Sequence, residues 1–329
     1  MKTHLRRTPM DRSVDMSADM PVDIQMDRRK FLKQVSLWSA GTLLIPPVFD
    51  TTPEVLAGSA LTPDILVTKG KDYPAMTRKI VDAAGGMDKF VSPGDRVVIK
   101  PNIGWDRNVA QGANTHPAIV STLAVLALEA GAAKVMVFDR TCNEERRCYQ
   151  NSGIKPALEE MKDRRVSCTY VDDRKFVPIT IKQGKSLKEW SFYKDALEAD
   201  CYINVPVAKH HSSSGLSMGL KNAMGVIGGW RGKIHYNLSA KIADLNLVIR
   251  PDLTLVDATR VITRNGPSGG SLDDVKQLDT IIAGVDPIAV DAYTTTFFGL
   301  HPEDIGSTVE GFKRGLGQID LDHCHIRMV

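Results

Sequence analysis

None of the five cysteines of this chain, at positions 142, 148, 168, 201 and 324, forms a C-x-x-C pair. That argues against a ferredoxin-type cluster or a structural zinc knuckle within the chain. A net charge of +3, with no basic block interleaved with aromatics, excludes the usual footprint of a nucleic-acid binder. The longest apolar run near the N-terminus, Val35 to Ile45, is too short to span a bilayer comfortably. No G-x-G-x-x-G follows a strand pattern and no phosphate-binding P-loop is present, so nucleotide binding has no support. Nor is there an H-E-x-x-H or H-x-x-E-H helix, or a serine nucleophile elbow.

What is present begins with an address. Residues 1 to about 26 are polar and aperiodic and read as disordered. Arg28-Arg29-Lys30-Phe31-Leu32-Lys33 follows, then the short apolar run, Pro46-Pro47, and small residues at Ala57 and Ala60. A charged segment, a short apolar segment and small residues are the anatomy of a signal peptide. The paired arginines match the twin-arginine export signal, which moves proteins already folded. Residues 1–60 are therefore expected to be a leader for the twin-arginine machinery, placing residues 61–329 in the periplasm as one α/β domain. Cleavage after Ala57 or Ala60 fits equally well, and a basic amphipathic N-terminal helix or an uncleaved anchor is the alternative.

From about residue 62, short apolar strands alternate with helical patterns. Strands are expected at Ile65–Val67, Arg96–Lys100, Lys134–Phe138, Val166–Val171, Cys201–Val205, Leu253–Val256 and Thr280–Val285. Helices are expected at 73–84, 117–130, 154–161, 240–249 and 287–298, and residues 175–190 hold a small hairpin at most. This alternation predicts an α/β fold, a mainly parallel sheet with helices on both faces, whose ligand site lies at the carboxyl ends of the strands. Five strands end on polar residues there: Lys100-Pro101-Asn102, Asp139-Arg140-Thr141, Asn204 with Lys209-His210-His211, Asp257, and Asp286. Strands end in polar turns in any case. A lysine closing a buried strand asks for more, since an unpaired buried ammonium is costly.

The stretch from Asp200 to His235 concentrates this character. It runs from an apolar strand into Lys209-His210-His211, a serine turn read as flexible linker, Lys221-Asn222, and glycines at 225, 228, 229 and 232. Lys100, Lys209 and Lys221, with Asn102, Asn204, Asn222 and Gly225, would form a cationic, donor-rich pocket suited to a carboxylate or phosphate. Adjacent His210 and His211 point to opposite sides of an extended segment, so one enters the site. His210 is taken as the proton-transfer group, with Lys209 beside it and Asp139 orienting either His210 or a lysine. A transition metal is a candidate cofactor, held by His210, His116 and Asp139, with Asp257 or Cys142 as further ligands. Cys142 and Cys148 flank an arginine pair and are expected to close a loop as a disulfide after export, a reactive thiol being the alternative. Asp286 reads as a helix N-cap.

These elements, in order, resemble a known family. Val97-Val98-Ile99-Lys100-Pro101-Asn102, Phe138-Asp139-Arg140-Thr141, Ile203 to His211, Leu220-Lys221-Asn222 with Met224-Gly225, Asn265-Gly266-Pro267, and Ala283 to Asp291 look like the family called domain of unknown function 362. The resemblance covers about residues 65 to 320. It implies association with iron–sulfur modules in many members, but this chain lacks the cysteine runs of such modules. What remains from it is a separately encoded iron–sulfur protein as a candidate partner. The function expected is an exported enzyme or cofactor-dependent redox protein acting on a small anion. A non-catalytic carrier of a metal or anionic cofactor is the alternative.

Overall fold

The computed structural model describes residues 64–329, so the leader, with Arg28 and Arg29, lies outside the described residues. The described residues form a ten-stranded sheet and a separate two-stranded hairpin. The strands are β1 (Asp64–Lys69), β2 (Arg96–Pro101), β3 (Lys134–Val137), β4 (Val166–Cys168), β5 (Phe176–Thr180) and β6 (Glu189–Tyr193). They continue with β7 (Cys201–Val205), β8 (Val207–His211), β9 (Gly215–Ser217), β10 (Leu253–Ile262), β11 (Val275–Gly284) and β12 (His325–Met328). The main sheet runs β12-β1-β11-β10-β7-β2-β3-β4, with β8 attached to β10 and β9 to β8. Along the main path β11 is antiparallel to both its neighbours, and the other pairs are parallel. The fold is α/β with a mostly parallel sheet.

Alternation along the strands sorts side chains between two cores. Val97 and Ile99 of β2, Val135 and Val137 of β3, and Ile203 of β7 pack with Ile80, Ile119, Leu123 and Leu158. These come from helices Tyr73–Ala83, Pro117–Glu129 and Ile154–Glu160 on one face. Val98, Met136 and Tyr202 point the other way, onto Ile242 and Leu245 of helix Leu238–Asn246 and Ile288 of helix Pro287–Thr296. Burial on both faces explains the uninterrupted apolar runs of the parallel strands. The helix starts follow local chemistry: Asp72 accepts from Ala75 N and Asp286 from Ile288 N and Ala289 N, each with proline in the first turn.

Several expected boundaries move. β10 is ten residues long and β11 reaches back to Val275, because these two strands pair with each other along a shared length. β4 stops at Cys168 instead of Val171. The irregular 175–190 region forms the β5–β6 hairpin, which runs on to Tyr193. The serine turn at Ser212–Ser214 is no linker, since it joins β8 to β9 in an antiparallel pair with His211 opposite Gly215.

Two features position the site. After β2 the chain moves outward to β3 and β4, then returns to place β7 on the opposite side of β2, so connections leave β2 and β7 in opposite senses. Such a switch point opens a crevice at the carboxyl ends of the strands. Pro206 then ends β7, and the chain continues as β8 paired to the far half of β10.

Candidate functional site

The crevice between β2 and β7 is closed by side chains. Lys100, the penultimate residue of β2, is 0% exposed, and its Nζ lies 2.8 Å from Asp139 Oδ1 beyond β3. It also donates to Asn222 Oδ1 at 2.7 Å and to the Pro101 carbonyl at 2.8 Å. Two hydrogen bonds and the ion pair with Asp139 thus fix its ammonium, which makes Lys100 a strut. Burial lowers its pKa, and the Asp139 carboxylate opposes that fall. Asp139 is held in turn by the Ile103 N–H at 2.6 Å, and its backbone N–H is 2.9 Å from the Tyr149 hydroxyl.

Asn222 ties the two strands together. Its Nδ2 donates to the Lys100 carbonyl at 3.1 Å and to Asn204 Oδ1 at 2.8 Å, while Asn204 Nδ2 donates to Gly219 O. Asn222 sits on the short helix Gly219–Asn222, whose first amides are captured by a side chain that sequence reasoning missed as a site element. Asp291 Oδ1 accepts from Gly219 N at 2.7 Å and Oδ2 from Leu220 N at 2.9 Å. Full burial pushes the Asp291 carboxyl up to about 7, against those two hydrogen bonds. Gly225 follows; a Cβ there would land on Asp139 Oδ1 and on Lys100 Cε and Nζ, so the backbone needs glycine to lie against the ion pair.

Lys209 and Lys221 differ from Lys100. Lys209, 1% exposed, donates to Asn102 Oδ1 at 2.8 Å and to the Ala113 carbonyl, and has no carboxylate partner among the described residues. Lys221, 9% exposed, has among the described residues only the Met224 sulfur, at 3.4 Å, as a side-chain partner. Burial brings Lys209 down to about 7 and Lys221 to about 8. Lys221 and Lys100 add to the fall at Lys209, and Arg231 adds to that at Lys221, while Cys142 acts upward on both lysines.

Arg231 belongs to a glycine-rich segment that reaches over this region. Its guanidinium donates to the Arg140, Thr141 and Met224 carbonyls, and Arg140 reaches back to the Ile227 and Gly229 carbonyls. His235, from the same segment, is near enough to Lys221 for that ammonium to lower its pKa, after burial.

The histidines divide as alternation requires, but not as the sequence reading assigned them. His211, two residues after Lys209, shares its side of β8. Burial drives His211 down to about 3, and Lys221 and Lys209 push the same way. Its Nδ1 accepts from Ser213 N at 3.2 Å, which leaves the ring proton on Nε2. His210 instead takes the Gly266 N–H on Nδ1 at 3.2 Å. It lines a separate surface cavity of about 620 Å³ with Leu216, Lys276, Phe297, Phe298 and Leu300.

The structure therefore brings together Lys100, Asn102, Asp139, Asn204, Lys209, Lys221, Asn222 and Gly225, and does not bring His210 to them. The expected metal set is dispersed. His116 caps helix Pro117–Glu129 through Nδ1 and stacks edge-on against Tyr73, at 4.7 Å between centroids. Burial lowers it to about 4. Asp257 is taken by Arg260 at 2.9 Å, by His116 N at 2.7 Å and by Thr259. Among the described residues no three His, Cys, Asp or Glu side chains converge as metal ligands. The expected Cys142–Cys148 bridge is also absent: none of the five cysteines is in a disulfide, with Cys148 buried in the core and Cys142 exposed. Helix Glu145–Asn151 turns Cys148 inward with Tyr149, which explains the separation.

Comparison with known proteins fits this frame. The pattern of the family described as Domain of unknown function (DUF362) matches residues 97–296. A thylakoid-associated protein of Synechocystis sp. is 28% identical over 257 residues, covering 74% of this chain and 75% of that protein. The lactate racemase apoprotein from Thermoanaerobacterium thermosaccharolyticum aligns with a TM-score of 0.40 and 11% identity over 76% of this chain. The alignment spans 56% of the racemase chain.

Proposed function

The chain belongs to the DUF362 family, and we propose that it binds a small anion, carboxylate or phosphate, at the β2–β7 crevice and carries out proton transfer on it. One observation carries this reading: Lys209 and Lys221 are buried amines with no carboxylate partner among the described residues. A buried charge left unpaired costs several kcal/mol, and a fold retains it where a ligand supplies the opposite charge. Lys100 and Asp139 set the floor of the site, Asn222 and Asn204 brace it, and Lys209 and Lys221 hold the anion. Lys209, brought down to about 7, stands where one amine can both give and take a proton near neutral pH. His211, neutral with its proton on Nε2, contributes a hydrogen-bond donor. In this reading the Arg28-Arg29 leader delivers the folded chain to the periplasm through the twin-arginine machinery.

The test is thermal shift of the purified protein against phosphate, sulfate and small carboxylates at matched ionic strength. Midpoints should rise with at least one of them, and Lys209→Met and Lys221→Met should abolish that rise while remaining folded by circular dichroism. A flat response of the folded wild type to every anion overturns the reading. Turnover of the bound species separates an enzyme from a carrier, which would retain it unchanged.

A further inference from the structure

We propose that the ligand is a dianion, a phosphate-type or dicarboxylate group, rather than a monocarboxylate. The inference rests on the anion-site reading above and refines it. Among the described residues, these charged and titratable groups surround the crevice, with Arg140 held on the Ile227 and Gly229 carbonyls beside Arg231. From β2 there is Lys100; from beyond β3, Asp139 with Cys142 at the rim; from β8, Lys209 and His211; from the helix Gly219–Asn222, Lys221; and from the glycine-rich segment, Arg231 and His235. Asp139 is the one carboxylate in this set and it is spent on Lys100 at 2.8 Å. What remains buried is the pair Lys209 and Lys221, two amines that carry full charge only when an anion is supplied. Among the described residues they touch no carboxylate, Asp139 acting on Lys209 only from a distance. Arg231 reinforces them, since its own bonds run to neutral carbonyls.

A monoanion would neutralise one ammonium and leave the other still buried and unpaired. A dianion cancels both, and in a low-dielectric setting the second attraction is far stronger than in water. The geometry of the donors agrees. Among the described residues Lys221 has no oxygen acceptor on its Nζ, and Lys209 has a third N–H beyond its two bonds. Both have hydrogens to give a ligand carrying several acceptor oxygens.

Isothermal titration with matched pairs tests this: sulfate against methanesulfonate, and succinate against butyrate, at one ionic strength. The dianion of at least one pair should bind about tenfold or more tighter than its monoanionic mate. The pair with the larger ratio then distinguishes a phosphate-type from a dicarboxylate ligand. The preference should vanish in Lys221→Met and survive in Lys221→Arg, which keeps the charge. Binding of the dianion at about pH 8.5 should also draw in about one to two protons, read from the dependence of heat on buffer ionisation enthalpy. Equal affinities within both pairs would overturn the dianion while leaving the anion site standing. No binding by any of the four would remove both.

Discussion

Lys209 and His210 are neighbours in the chain, yet they serve opposite sides of β8. The Lys209 ammonium reaches Asn102 at 2.8 Å within the crevice, whereas the His210 ring takes the Gly266 N–H at 3.2 Å on the far side. The next residue, His211, returns to the side of Lys209. One residue of register thus decides which imidazole can meet a ligand held by the lysines.

His211→Ala should weaken binding of the best anion by about tenfold to a hundredfold, the worth of one hydrogen bond to a charged group. His210→Ala should leave that affinity within about twofold. Titration of both variants with the same anion checks this, and the reverse order of effects would return His210 to the site.

Asp139→Asn should be among the most destabilising changes in the chain, costing about 3–5 kcal/mol in urea unfolding, because it strands Lys100 as a buried, unpaired charge. Adding Lys100→Met to it should recover part of the loss. If the two single changes simply add, the ion pair is not the coupled unit described above.

Gly225→Ala should lower stability by about 1–3 kcal/mol or more, because its methyl group would occupy the space of Asp139 Oδ1 and the Lys100 ammonium. The crystal structure of the variant should show the 2.8 Å contact between those two groups broken or displaced. An unchanged midpoint with the pair intact would mean that the backbone gives way more readily than the packing implies.

Stability of the unliganded protein should rise with pH above neutrality. Lys209 and Lys221 titrate at about 7 and about 8 when folded, below the value of about 10.4 for lysine in an unfolded chain. Between those values the unfolded state binds more protons, so raising the pH favours the folded state. Below about 7 the full penalty of both buried charges is present. Lys221→Met should therefore be more stable than wild type at pH 7, by on the order of 2–3 kcal/mol. The advantage should shrink as the pH approaches about 10. Curves for the two proteins that run parallel from pH 7 to about 9.5 would show that Lys221 is not the strained group.

The polar ends of apolar strands were readable because strands buried on both faces stop where their apolar runs stop. That is why Lys100, Asn102, Asp139 and Asn204 could be placed at one edge from residues alone. The choice between His210 and His211 was not readable, since it depends on the pairing of β8 with β10, where Lys209 lies opposite Ile262. The role of Asp291 was equally hidden, because its two acceptor bonds reach a helix about seventy residues earlier in the chain. The metal set and the disulfide failed for a related reason: spacing in sequence carries no information on which way a helix turns a side chain. A signal for Asp291 did exist, in an acidic residue between Val290 and Ala292 in the apolar first half of the Pro287–Thr296 helix, a position that demands a partner.

The bonds from Asn222 to Lys100 join segments 122 residues apart in the chain. Contacts of that separation are entropically costly to close and tend to form late in folding. No fragment of the chain therefore carries a reduced version of the site. A truncated product, or a chain caught before the Gly219–Asn222 helix docks, would expose the lysines to water as ordinary surface amines. Ligand affinity would then report completion of the fold itself.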